Sequence, residues 1–106
     1  MKPLKTPVKD MVVAAKARIK EMTAKQALGL INDKDSLIVD IRDIRERHKL
    51  GYIPGSYHAP RGMLEFWVDP QSPYFKEIFS SNKRFIFHCA SGWRSALSVA
   101  TLNDMG

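Results

Sequence analysis

The chain reads as a single α/β domain built on a mostly parallel central sheet flanked by helices. Two short strand-like runs, LIVDI at 37–41 and RFIFH at 84–88, have continuous apolar interiors, as expected of strands covered on both faces. Segments with helical spacing alternate with them, the arrangement that goes with a parallel α/β layer. At 106 residues there is room for one core and no second domain.

The elements follow in order. Thr6 is placed to cap a helix with Pro7 at its first position, and Val8, Met11, Val12, Ala15 and Ile19 recur at helical spacing. Residues 1–17 therefore form a basic amphipathic helix or extension ahead of a main domain over 18–106. Arg18 to Met22 reads as a short strand. Thr23, with Gln26 three residues on, forms a capping box that starts a second helix through Ala27, Leu28, Leu30 and Ile31. NDKD at 32–35 turns the chain into LIVDI. Pro54 and Gly55 mark a turn before a short extended piece, Ser56 to Ala59. MLEFW and YFKEIF, broken by Pro70 and Pro73, read as interrupted helical turns. Asn82 and Lys83 turn into RFIFH, and Ser95 to Met105 forms a last helix that ends at Gly106.

Composition narrows the function classes. With 44% apolar and 26% charged residues the chain is a globular protein and too apolar to be disordered. Its single cysteine forms no internal disulfide, which fits a reducing cytoplasm, and no apolar run approaches the roughly 18 residues that span a bilayer. The net charge of +6 is an N-terminal property: residues 1–26 hold seven basic and two acidic side chains. A solvated lysine-rich helix face accounts for it, and without interleaved aromatic and basic residues it points to neither nucleic acid nor membrane.

The chemistry sits in FIFHCASGWRS, 85–95. Cys89 falls where a strand gives way to a helix, the end of a parallel sheet at which ligands bind. If Ala90, Ser91, Gly92, Trp93 and Arg94 curl around the thiol, their backbone N–H groups and the helix N-terminus form an anion nest that favours thiolate. Small residues permit that approach, glycine permits positive φ, and Arg94 adds charge. The opposing reading is a packed, inert thiol. His88 points to the opposite face from Cys89 and reads as a satisfied core histidine rather than its base. His48, His58, His88 and Cys89 lack zinc-site spacing, and nothing in the pattern asks for a metal or other cofactor.

LIVDIR with Asp40 and Arg42, then Glu46, GYIPGSYHAPRG and FIFHCASGWRS together resemble, in the expected order, the single-domain rhodanese-like sulfurtransferases. The resemblance implies that Cys89 takes a sulfane sulfur from a small anionic donor such as thiosulfate, becomes a persulfide, and passes it to a thiol or protein acceptor. It also implies that Asp40 and Arg42 support the loop from the neighbouring strand end, as scaffold ion pairs or in contact with substrate, and that Arg61 lies near the pocket rim. Phosphatases and arsenate reductases of the same fold are the enzymatic alternative, but the phosphatases carry C-x5-R where this chain has C-x4-R. A non-enzymatic sulfur-relay or interaction module is the other. Trp93 either caps the pocket or anchors the loop on the helix. Phe66, Trp67, Tyr74, Phe75 and Phe79 either pack irregular chain or form an acceptor rim. Family members continue into a further strand and helix, so this sheet is expected to be part of a longer chain or to be completed by a dimer or a swapped partner segment.

Overall fold

The computed structural model describes residues 4–106. Three parallel strands form the sheet in the order β2-β1-β3. The central strand β1, Ser36–Asp40, pairs with β3, Arg84–His88, from Ser36 opposite Arg84 to Asp40 opposite His88. The short β2, Tyr57–His58, pairs with the end of β1 at Val39 and Asp40. Helices α1, Val8–Lys16, α2, Ala24–Leu28, α3, Ile44–Leu50, α4, Leu64–Val68, and α5, Trp93–Met105, flank it. The parallel α/β architecture expected from the two apolar runs is the one observed.

Strand alternation divides the packing. Val39 and Ile41 of the β1 segment join Ala59 and Leu64 in one buried cluster, against which Trp67, Phe79, Phe85 and Phe87 pack. The aromatic stretch thus splits: Trp67 and Phe79 meet Tyr57 edge-on with ring centroids 6.5 and 6.0 Å apart, whereas Phe66 and Tyr74 are exposed and meet each other edge-on. A second cluster joins Val12 and Ala15 of α1 to Ala96 and Ala100 of α5. Small residues on both faces let the two helices lie close, so α1 and α5 share a core.

Several boundaries differ from the sequence reading. Pro7, not Thr6, is the N-cap of α1, and no side chain caps it; Pro7 is still extended, with φ −63° and ψ 153°, so the helix begins one residue later. Val8 and Met11, expected on the apolar face, are exposed, because α5 is narrow enough to cover only the Val12–Ala15 ridge. The extended piece shrinks to Tyr57 and His58, and α5 begins two residues earlier than Ser95. The Thr23–Gln26 capping box is present in both directions.

The largest difference is at 18–22, where no strand forms. In a parallel ladder alternate residues bond to the same neighbour: Arg84 N–H donates to Asp35 O, and His88 O accepts from Ile41 N–H, so the amides and carbonyls of Phe85 and Phe87 face outward. A groove of about 670 Å³ separates that edge from residues 19–24, and no backbone hydrogen bond among the described residues crosses it. The 18–22 segment lies across the groove from that edge and joins no ladder.

The α1–α5 contact predicts that Ala100→Leu overpacks the interface and destabilises the protein by about 1–3 kcal/mol, while Val13→Leu on the exposed face of α1 changes stability by less than about 0.5 kcal/mol. Urea denaturation of the two variants measures both.

Candidate functional site

Beyond β3 the chain turns sharply into α5. Gly92 sits at the N-cap of that helix with φ 85°, in the left-handed region, and no side chain caps the helix. A Cβ at Gly92 would meet nothing within 4 Å, so the position needs glycine for its backbone angle and not for space. The turn carries the Gly92 N–H back to within 3.2 Å of Cys89 Sγ, and Ser95 Oγ lies 3.6 Å from the same sulfur.

Burial of half-buried Cys89 would raise its thiol pKa, but the Ser95 amide and hydroxyl and the Gly92 and Ser91 amides outweigh it, and the net direction is down. The nest is therefore smaller than the expected 90–94 arc: Ser91 and Gly92 contribute amides, Ser95 contributes more than any of them, and Ala90 and Trp93 do not appear among its donors. Trp93, 43% exposed, heads α5.

Arg94 faces Cys89 and reaches across to α3, and both neighbours raise its pKa, Glu46 most. Its Nη1 and Nη2 donate to Glu46 Oε1 and Oε2 at 2.7 and 2.9 Å, a two-pronged ion pair. Glu46 is held in place because it is also the third residue of α3: its Oε1 accepts the Asp43 N–H while the Asp43 carboxylate caps the helix.

Below the loop lies the fully buried Asp40. Arg42 donates to it from its amide, Nε and Nη2 at 3.0, 3.0 and 2.9 Å, and Arg47 from Nη1 at 3.2 Å. Burial pushes this carboxyl up, but the Arg42 hydrogen bonds prevail and hold it down to about 2. Arg42 also donates to Gly51 O and Arg47 to Ser56, so the pair pins the 51–56 turn beneath α3. Asp40 and Arg42 thus form a scaffold pair at the strand end and make no direct hydrogen bond to the cysteine loop.

Two expectations are corrected. His88 is not satisfied: its Nε2 is buried without a hydrogen-bond partner, 3.8 Å from Asp40 Oδ1, because both arginines already occupy that carboxylate. Burial lowers its pKa, which keeps the ring neutral. Arg61 does not reach the rim of the Cys89 groove; it lines a separate cavity of about 400 Å³ with Leu97, Ser98 and Thr101, since the Arg61 N–H bond to Ile41 O holds its segment beyond the end of β1. Ser95 and Arg47 carry no local sequence signal, and Glu46 stands out only within the motif that follows LIVDIR. The Asp43-x-x-Glu46 capping box was the available signal, because it places Glu46 on the first turn after a strand, at the sheet end that carries Cys89.

Fold and site together define a parallel α/β domain that presents one activated thiol in an amide-lined loop at the carboxyl end of its sheet. The profile of the rhodanese-like domain matches residues 23–106, and the chain belongs to that family. It is 29% identical over 92 residues to the mouse (Mus musculus) thiosulfate sulfurtransferase/rhodanese-like domain-containing protein 3; the match takes in 82% of this chain and 59% of that protein's length. A solved structure from Rhodopseudomonas palustris, described as a protein of unknown function and possible tyrosine phosphatase, superimposes with TM-score 0.94 at 47% identity, over all of this chain and 82% of that one.

Two predictions follow from the geometry. Ser95→Ala removes the hydroxyl facing Sγ, so the midpoint of the pH profile for iodoacetamide alkylation of Cys89 moves upward from its wild-type position. Asp40→Asn leaves two guanidinium groups around an uncharged amide and costs about 3–5 kcal/mol of stability. Because the Asp40 pKa is depressed from 3.8 to about 2, its wild-type contribution is complete above the ordinary carboxylate range and is lost as pH falls toward about 2; that acid-dependent part of the denaturation curve disappears in Asp40→Asn.

Proposed function

We propose that this domain is a sulfurtransferase in which Cys89 carries a persulfide between a sulfane-sulfur donor and an acceptor thiol. The observation that carries the reading is the Cys89 sulfur itself, ionised more readily than an ordinary thiol by the Ser95, Gly92 and Ser91 donors at the end of β3. A thiolate attacks the outer sulfur of the donor; the same donors then stabilise the charged terminal sulfur of the persulfide, and an acceptor thiolate removes it. The transfer needs no metal or redox cofactor, because the sulfane sulfur keeps its oxidation state throughout.

Phosphoryl chemistry is the second reading, favoured by the description of the Rhodopseudomonas relative and by an arginine at the loop end. Two features weigh against it. The C-x4-R loop is one residue shorter than the phosphatase loop it resembles. The Arg94 fork that would clamp phosphate oxygens is occupied by Glu46.

Intact-mass spectrometry after exposure to sulfane-sulfur donors tests the choice. The expected result is addition of one sulfur atom to the wild type, removal by excess thiol, and no addition to Cys89→Ser. Turnover of an aryl phosphate by a folded sample that accepts no sulfur would reverse the assignment.

A further inference from the structure

The charges around Cys89 bear on which donor it meets. Arg94, the cation of the loop, has both terminal nitrogens on Glu46, and Glu46 Oε1 is tied in turn to the Asp43 amide. The pair is about one third exposed and Arg94 faces Cys89, so an anion that reaches the sulfur meets the net charge of the pair. The next arginines down, Arg42 and Arg47, are directed to Asp40, Gly51 and Ser56, and Arg61 lies in another cavity. His88 is neutral. The amides of the loop are suited to one negative charge centred on sulfur; the charge of Arg94, which also faces Cys89, is balanced by Glu46, and the other cations lining the groove among the described residues, Lys20 and Arg84, belong to its 19–24 wall and to the start of β3.

Resting on the sulfur-transfer reading, we infer that Glu46 is a specificity-determining residue: by balancing the charge of Arg94 it disfavours doubly charged tetrahedral donors such as thiosulfate and selects a persulfide of an organic thiol. The step balances without a further reactant. The Cys89 thiolate attacks the outer sulfur of R–S–SH, the donor S–S bond breaks, the Cys89 S–S bond forms, and R–S⁻ leaves with the electron pair while the proton stays on the transferred sulfur or passes to solvent. Oxidation states are conserved. The leaving thiolate carries a single charge, where thiosulfate would bring two charges to the loop and release sulfite there.

Glu46→Gln separates charge from structure. Glutamine still accepts the Asp43 N–H and so keeps the α3 capping box, yet it no longer neutralises Arg94. The experiment measures the rate of sulfur loading on Cys89 by mass spectrometry with two probes, thiosulfate and the persulfide of N-acetylcysteamine, whose thiol carries no other charge, each divided by that probe's rate with free N-acetylcysteine to remove intrinsic reactivity. For the wild type, the normalised rate with the persulfide should exceed that with thiosulfate by about tenfold, and Glu46→Gln should raise the thiosulfate rate about tenfold while changing the persulfide rate less than about twofold. A wild-type preference for thiosulfate, or a variant in which both rates move together, overturns the role of Glu46 and leaves sulfur transfer standing. If circular dichroism shows that Glu46→Gln does not fold, the wild-type ratio decides alone. Loading by neither probe would remove the sulfur-transfer reading itself and this inference with it.

Discussion

One buried carboxylate organises the end of the sheet at which Cys89 lies. Asp40 is the last residue of the central strand, has no solvent exposure, and receives donors from Arg42 and Arg47. An ion so deeply placed is tolerated only when its charge and lone pairs are met, and meeting them fixes both arginines. Arg47 belongs to α3, so the contact sets where that helix lies and, through Ser56 and a stacking contact with Tyr52 at 4.0 Å, where the 51–56 turn lies. The orientation of α3 then places Glu46 against Arg94. Strand end, helix and cysteine loop are linked by a chain of charged contacts.

This linkage constrains the cysteine loop through its neighbours. The loop after β3 is short and small-residued, and a loop of that kind would otherwise sample many shapes. Here it is held at both ends: the β1–β3 ladder fixes Cys89 from one side, and the Glu46–Arg94 pair with the packed face of α5 fixes the helix from the other. Only the left-handed turn at Gly92 spans the interval.

What the sequence disclosed follows the range of the interactions. The Thr23–Gln26 box and the two apolar strands are local patterns, and they appeared where expected. The Asp40 and Arg42 pairing is two residues long and was visible as a motif, although the reach of Arg47 to the same carboxylate was not. Glu46 and Arg94 are 48 residues apart, and no local rule joins them. The absence of a strand at 18–22 has the complementary reason: β-propensity reports a segment's fitness for a sheet, whereas a strand exists only within hydrogen-bonding reach of a neighbour, and the groove keeps 19–24 away from the outward-facing edge of β3.

The sulfur of Cys89 also occupies the place of a helix cap. α5 begins at a glycine without a capping side chain, and the Gly92 amide is directed at Sγ instead. The ionisation of one atom and the folding of a thirteen-residue helix are therefore linked equilibria: whatever favours the thiolate tightens the first turn, and whatever alkylates or oxidises it withdraws an acceptor from that turn. A helix that also carries half of the α1–α5 core makes the chemical state of its cysteine a property of the whole molecule's stability.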